Sequence, residues 1–353
     1  MKKNIALIIA LLLTFGVFTV SSYAEESTAK IITDCYGAQV EIPKEIKKVV
    51  VTSPSAVAFM TAMGLDDRIV GTHGAVLNHF WIYEFSDHIT KDMPMYGKKP
   101  NAEELIAADV DLVIIKDGAY AEELRNSGIT AVSFQYADKE ELFFAVDMLG
   151  DIFGGAAKTW ATKWKEKLNT TISAIETDLS SVPEANRCNI YYVDATGAEV
   201  DLYLTAGGNS FVEYWVNASG GKLVTSPYEG LEQIDQETAL TLNPDTIFIC
   251  GWLEYPARDT LMDDPLWREV PAVKNNRVYI MPTSIVSYDR FAVDLPLMFD
   301  YTANLLYPDL HPFNGISTLR EFYEQFYGRS FTDEQLENML KGLNPDGTIM
   351  VGE

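Results

Sequence analysis

Asn101-Ala102-Glu103-Glu104-Leu105 leads on to Asp111-Leu112-Val113-Ile114-Ile115, and Asp235-Gln236-Glu237-Thr238-Ala239 leads on to Asp245-Thr246-Ile247-Phe248-Ile249. The two stretches stand 134 residues apart and read alike. In each, a capping residue opens a short helix with Glu at its second position. An Asp follows eight residues after that Glu, then a buried strand, then a turn at Asp117-Gly118 or Gly251. One helix-strand unit used twice implies two similar α/β lobes, and ligands of such pairs sit in the cleft between them.

Working outward, Ile31 to Pro43 reads as a hairpin with Gly37 in its turn. Strands are expected at Val49–Val51, Ile69–Gly71, Leu112–Ile115 and Ala131–Phe134, with helices at Ala56–Met63, Ala102–Ala108 and Glu140–Phe153. That alternation predicts a parallel sheet flanked by helices. From Ala156 to Leu179 there is no Gly or Pro, and Trp160, Trp164, Leu168, Ile172, Ile175 and Leu179 fall on one stripe. A helix of that length spans about 36 Å, enough to serve as a rigid spine between the halves. The second half repeats the theme: strands at Ile190–Val193, Thr246–Cys250 and Val278–Met281, helices at Asn209–Val216, Gln236–Leu242 and Leu295–Leu306. In the tail, Thr332 and Gln335 form a capping box for a helix at Asp333–Leu340. The fold class expected is therefore α/β, with two Rossmann-like lobes (25–154 and 183–353) joined by a single long α-helix (within 155–182) and a ligand cleft between them.

Residues 1–24 read as a signal peptide. Lys2-Lys3 precedes an apolar run from Ile5 to Val20, and Ser22-Tyr23-Ala24 gives a small-x-small cleavage pattern. No Cys ends the apolar run, so a lipid anchor has no acceptor there and a freely soluble exported chain starting at Glu25 is expected. Without Lys2 and Lys3, 25 basic residues face 51 acidic ones, a field that repels nucleic acid and anionic lipid. Cys35, Cys188 and Cys250 have no C-x-x-C spacing, so neither a zinc site nor a disulfide framework is indicated. If their strands are parallel, Cys188 and Cys250 lie at opposite ends of the sheet and do not pair. There is no G-x-S-x-G, H-E-x-x-H or P-loop, which weighs against an exported α/β enzyme, the alternative from another class. The glycines of Ala206-Gly207-Gly208-Asn209-Ser210 read as a turn whose amides can bind a ligand oxygen. A structural surface module would lack the spine and the duplicated glutamates.

Several segments, in this order and spacing, resemble one family: Ile42-Pro43, Ser53-Pro54-Ser55, the Asn101–Glu103 unit, Asp264-Pro265-Leu266-Trp267, and Ala272-Val273-Lys274-Asn275-Asn276-Arg277-Val278-Tyr279. They are similar to the periplasmic binding proteins of ABC importers for ferric siderophores, haem and cobalamin. The tail Phe322-Tyr323-Glu324-Gln325-Phe326-Tyr327-Gly328 before Phe331-Thr332-Asp333-Glu334 is similar to the iron-chelate branch. The resemblance implies two lobes on one long helix with modest hinge motion, and no catalysis. It also implies one exposed acidic residue per lobe that docks into arginines of the permease dimer. Glu103 and Glu237 occupy those positions, where they also complement the helix dipole.

Cleft residues are expected in the loops after the strands. Candidates are Ser53, Ser55, His73, Tyr96, Lys98 and Tyr120 in lobe one, and Thr196, Trp252, Tyr288 and Arg290 in lobe two. A guanidinium at Arg290 can grip catecholate, hydroxamate or carboxylate oxygens, and a Tyr288 phenolate can complete an Fe(III) shell. In the competing reading Arg290 is a structural partner of Asp294. His73 and His79 are six apart, and a loop can fold them onto a metal, with His73 as the candidate ligand. Trp252 and Trp81 can serve as platforms for a chelate or corrin face. The expectation is a monomeric solute-binding protein with no prosthetic group, carrying an iron(III) chelate. Cobalamin or haem, and then a nickel or other metal complex, are the alternatives.

Overall fold

Runs of apolar residues with no polar alternation make strands that are buried on both faces, and that is how parallel sheets are built. Val49–Val51 and Leu112–Ile115 are buried throughout and sit side by side. The computed structural model describes residues 30–350; the signal-peptide expectation lies outside them. The first sheet has the spatial order Met95–Tyr96, Ile69–His73, Val49–Val51, Leu112–Ile115, Ala131–Ser133, all parallel. The second has the order Gly221–Leu223, Cys188–Ala195, Thr246–Gly251, Val278–Ile280, also all parallel. The hairpin pairs Lys30–Thr33 with Gln39–Ile42, and Gly37 turns it at φ +88°.

The repeated Asp has the same task in both lobes. Asp111 Oδ2 accepts the backbone N–H groups of Lys47 and Lys48 at 2.7 and 2.8 Å, at the foot of Val49–Val51. Asp245 Oδ2 accepts the N–H of Asn189 at 2.9 Å, at the foot of Cys188–Ala195. The helices before them, Ala102–Ala107 and Gln236–Thr241, are capped by Asn101 and Asp235. The repeat is thus a helix, a carboxylate that pins the neighbouring strand, and the strand itself.

A 24-residue helix, Gly155–Asp178, lies between the sheets in sequence. Its buried stripe includes Ala157, Ala161, Trp164, Leu168, Ile172 and Ile175. Trp164 meets Phe59 of lobe one edge-on at 5.1 Å, while its indole N–H donates to the carbonyl of Val293 at 2.8 Å. One continuous apolar core runs from the first sheet through this helix to the Leu295–Leu306 helix and the second sheet. Spine and lobes therefore share buried surface rather than meeting at a hinge alone.

Besides several one-turn helices, three longer ones arise where none was predicted, Gly118–Asn126, Glu254–Asp263 and Gly315–Tyr327. The last packs with Asp333–Leu340 against lobe one: Tyr323 and Phe331 ring the side chain of Phe85 at 5.2 and 4.8 Å. The Asp333–Leu340 helix carries the expected capping box. All three cysteines are free, and Cys188 and Cys250 stand at opposite ends of neighbouring parallel strands.

Candidate functional site

The loops that leave the C-terminal ends of the two sheets face one another across a cavity of about 690 Å³. Lobe one contributes Pro54 after its central strand, and His79 and Phe80 after Ile69–His73. Lobe two contributes Gly251 at the end of Thr246–Gly251 and Trp252 just after it, then Ser287 and Arg290.

The lobe-two wall depends on a glycine. Gly251 has φ +129°, and a Cβ there would come within 2.6 Å of the backbone of Ala195. That close approach turns the chain outward, so Trp252 stands 43% exposed at the cavity. The Arg290 guanidinium carbon lies 6.0 Å from the centre of the Trp252 ring, in cation–π range. Its Nη2 is 3.4 Å from Asp289 Oδ2, an ion pair without a hydrogen bond. Nη2 and the neighbouring Ser287 Oγ are buried and have no hydrogen-bond partner among the described residues.

Behind Arg290 lie buried acids. Asp289 accepts the Tyr192 hydroxyl at 3.1 Å. Burial, and then the nearby Asp289, push Glu254 well above the usual carboxylate range, and burial raises Asp194 too. Asp289 in turn raises the Arg290 guanidinium, which stays fully charged. Burial thus shifts both carboxyls towards their neutral forms, and the acid that pairs with Arg290 at this wall is Asp289.

The lobe-one wall carries His79. Its Nε2 is 3.2 Å from Thr283 Oγ1 of the other lobe, and its Nδ1 is buried with no partner among the described residues. Burial pulls its pKa down to about 4, so the imidazole is neutral at neutral pH. Phe80 is 45% exposed, with the Lys91 ammonium 5.3 Å from its ring centre. Two half-exposed rings, a guanidinium, a hydroxyl and a neutral imidazole suit a bulky, largely apolar molecule with an anionic oxygen edge.

Of the residues predicted for the cleft, Trp252 and Arg290 line this cavity. Ser53 caps the Pro54–Ala62 helix and shares a hydroxyl contact of 3.2 Å with Ser55. Tyr96 packs its ring on Gly71, and Tyr120 donates to the carbonyl of Pro100 at 2.7 Å. Lys98 is exposed, and the Thr196 hydroxyl is bonded to Asp194. Glu103 and Glu237 are exposed on their capped helices, and neither lines the cavity.

Several expectations need correction. Tyr288 is 1% exposed, its hydroxyl is 2.8 Å from that of Tyr323, and burial drives its pKa far up. It is therefore a core phenol, unable to ligate iron in the cleft. His73 Nδ1 accepts the N–H of Ala75 at 3.1 Å and so caps the Gly74–Leu77 helix; the imidazole at the cavity is His79. Among the described residues no three His, Cys, Asp or Glu side chains are grouped to hold a metal. Arg290 pairs with Asp289 rather than Asp294, which accepts the Ser284 hydroxyl at 2.6 Å. Trp81 is fully buried and is no platform. The amides of Gly207 and Gly208 donate to the carbonyls of Gly230 and Tyr228, so neither glycine amide is free for a ligand oxygen.

Two α/β lobes on one helical spine, with a solute-sized cavity at the facing strand ends, define a binding protein with its ligand held between lobes. The family model for periplasmic binding proteins matches residues 49–285, more than half of the chain, and the chain belongs to that family. Members of the family work with ABC importer permeases, and the relatives are substrate-binding proteins rather than enzymes. The chain is 25% identical over 285 residues to the ABC transporter substrate-binding lipoprotein YvrC of Bacillus subtilis, covering 79% of this chain and 85% of that one. It is 23% identical over 315 residues to the iron(3+)-hydroxamate-binding protein YxeB of the same species, covering 83% and 94%. Among solved structures, the ABC transporter solute binding protein from Sulfurospirillum deleyianum superposes with a TM-score of 0.74 at 21% identity, over 88% of this chain and 99% of that one. No helix among the described residues is long and apolar enough to cross a membrane.

Proposed function

We propose that this protein carries an iron(III) chelate of the siderophore type, at the extracytoplasmic face, to the permease of an ABC importer. The observation that carries the reading is Arg290: a guanidinium at the cavity whose Nη2 has no hydrogen-bond partner among the described residues, beside an equally unpartnered Ser287 hydroxyl. An anionic oxygen edge of a chelate satisfies both, and charge-assisted hydrogen bonds are the strong ones. The likeness to an iron(3+)-hydroxamate-binding protein supports the same class. Trp252 and Phe80, both half exposed at the cavity, favour a flat macrocycle such as haem or cobalamin as the second reading. Glu103 and Glu237 dock the permease, one per lobe. The ligand is bound without turnover and enters as cargo rather than as a prosthetic group.

Calorimetric titration with ferrioxamine B, a ferric tricatecholate, haemin, cyanocobalamin and nickel(II) histidine tests the proposal. One-to-one binding of a ferric chelate is expected, with the chelate recovered unchanged. Binding of cyanocobalamin or haemin alone would replace the siderophore reading with the second one. Chemical conversion of a probe would refute the carrier role.

A further inference from the structure

We infer that the C-terminal segment Leu343–Met350 is a ligand-selecting third wall of the cleft. Asn344 and Met350 line the same cavity as Arg290 and Phe80. The segment is a built turn. Leu343 bridges antiparallel to Ile349, and the Asn344 N–H donates to the carbonyl of Thr348 at 2.8 Å. The buried Asn344 side chain donates to Thr348 Oγ1 and to the carbonyl of Ile349 at 3.1 and 3.3 Å. Gly347 closes the turn at φ +80°.

Lobe one holds the segment directly, and further bonds hold the residues that lead into it. The Trp81 indole N–H of lobe one donates to the carbonyl of Leu343 at 2.7 Å. From lobe two, the Tyr255 hydroxyl donates to the carbonyl of Lys341 at 2.7 Å, and the Thr283 N–H donates to the carbonyl of Met339 at 2.9 Å. The burial of Trp81, which removes it as a ligand platform, is thus what lets its N–H anchor this wall. The family match ends at residue 285, so the wall comes from chain beyond the matched stretch. A turn tied across to lobe one at Leu343, on a stem held at Met339 and Lys341, bounds the cavity on a further side from the loops at the strand ends. Its Met350 side chain is flexible and apolar, suited to fitting an irregular ligand surface. The inference rests on the reading of the cavity as the chelate site.

The test compares the full chain with a chain ending at Gly342, and with Asn344→Ala, using ferrioxamine B, ferric tricatecholate, haemin and cyanocobalamin as probes. Truncation is expected to weaken the best probe of the full chain about tenfold or more, and to improve the bulkier probes relative to it. Far-UV circular dichroism should be unchanged. Asn344→Ala should shift the ranking in the same direction by a smaller factor. Unchanged affinities and ranking in both variants overturn the inference. If the full chain binds none of the probes, it is the chelate reading that fails, and hydrogen exchange then decides the wall. Trp81→Phe should speed exchange both in residues 75–80 and in residues 343–349, and unchanged rates in either stretch overturn it.

Discussion

The imidazole of His79 in lobe one meets the hydroxyl of Thr283 in lobe two at 3.2 Å, so a hydrogen bond crosses between the lobes inside the wall of the cleft. The buried ring is held there in its neutral form, because burial disfavours its charged form. Burial lowers the His79 pKa from 6.5 to about 4. The unfolded chain therefore binds a proton more readily than the folded one between those values. The stability contributed is complete above about pH 6.5 and is lost as pH falls toward 4. Relative to His79→Gln, the wild type should lose on the order of 3 kcal/mol across that window, a ceiling set by 1.36 kcal/mol per pKa unit. Urea unfolding at pH 7.5 and pH 4.5 measures it, and a difference that does not change with pH refutes it.

Arg290→Ala should weaken an anionic ferric chelate by about 1.5–3 kcal/mol, the range for hydrogen bonds to charged groups. It should also lower the melting temperature, because Asp289 is 3% exposed and loses its cation. Arg290→Ala with Asp289→Asn removes that stranded charge. The double variant is expected to recover stability while its affinity stays low. Recovery of both together would make Arg290 a structural residue only.

Glu103→Ala combined with Glu237→Ala should abolish transport in cells and leave the calorimetric affinity within about twofold, since neither residue lines the cavity. The caps Asn101 and Asp235 remain, so each helix loses only a dipole contribution of a few tenths of a kcal/mol to about 1 kcal/mol. Loss of ligand binding in the purified double variant would place these glutamates in the pocket instead.

Tyr288→Phe should cost about 1 kcal/mol of stability by deleting its hydroxyl contact with Tyr323, with the ring core otherwise kept. Binding of every probe and the visible spectrum of a bound ferric chelate should be unchanged. A lost charge-transfer band in the variant would restore the phenolate as an iron ligand.

The elements legible in the sequence were those with internal punctuation. Val49–Val51 and Leu112–Ile115 were placed to the residue because short apolar runs end at Thr52 and Lys116. The spine was visible because its stripe runs 24 residues without a breaker. Glu254–Asp263 was not visible: Pro256 reads as a helix stop, although a proline is tolerated in the first turn. Gly118–Asn126 starts on glycine, and its apolar face is only Ala121 and Leu124. In the site, Arg290 and Trp252 were found by following strands to their ends. Tyr288 failed that rule because Tyr288–Arg290 is a single 3-10 turn with about three residues per turn, which fans its side chains in different directions, the phenol into the core and the guanidinium to the cavity. Asn344 and Met350 carried no signal at all, since they reach the cleft through tertiary ties at Trp81 and Tyr255.

The pairing of Arg290 with Asp289 bears on how cargo is given up. A carrier must unload as readily as it loads, and a lone buried cation would hold an anionic ligand too firmly to surrender it. Here the guanidinium already has a counter-charge 3.4 Å away, close enough to neutralise it and not aligned to occupy its N–H donors. On the proposed reading, a departing anionic ligand leaves behind an ion pair rather than a naked charge. On that reading its release returns Arg290 to a pair with Asp289 that is already in place, so the empty cleft keeps no unpaired guanidinium.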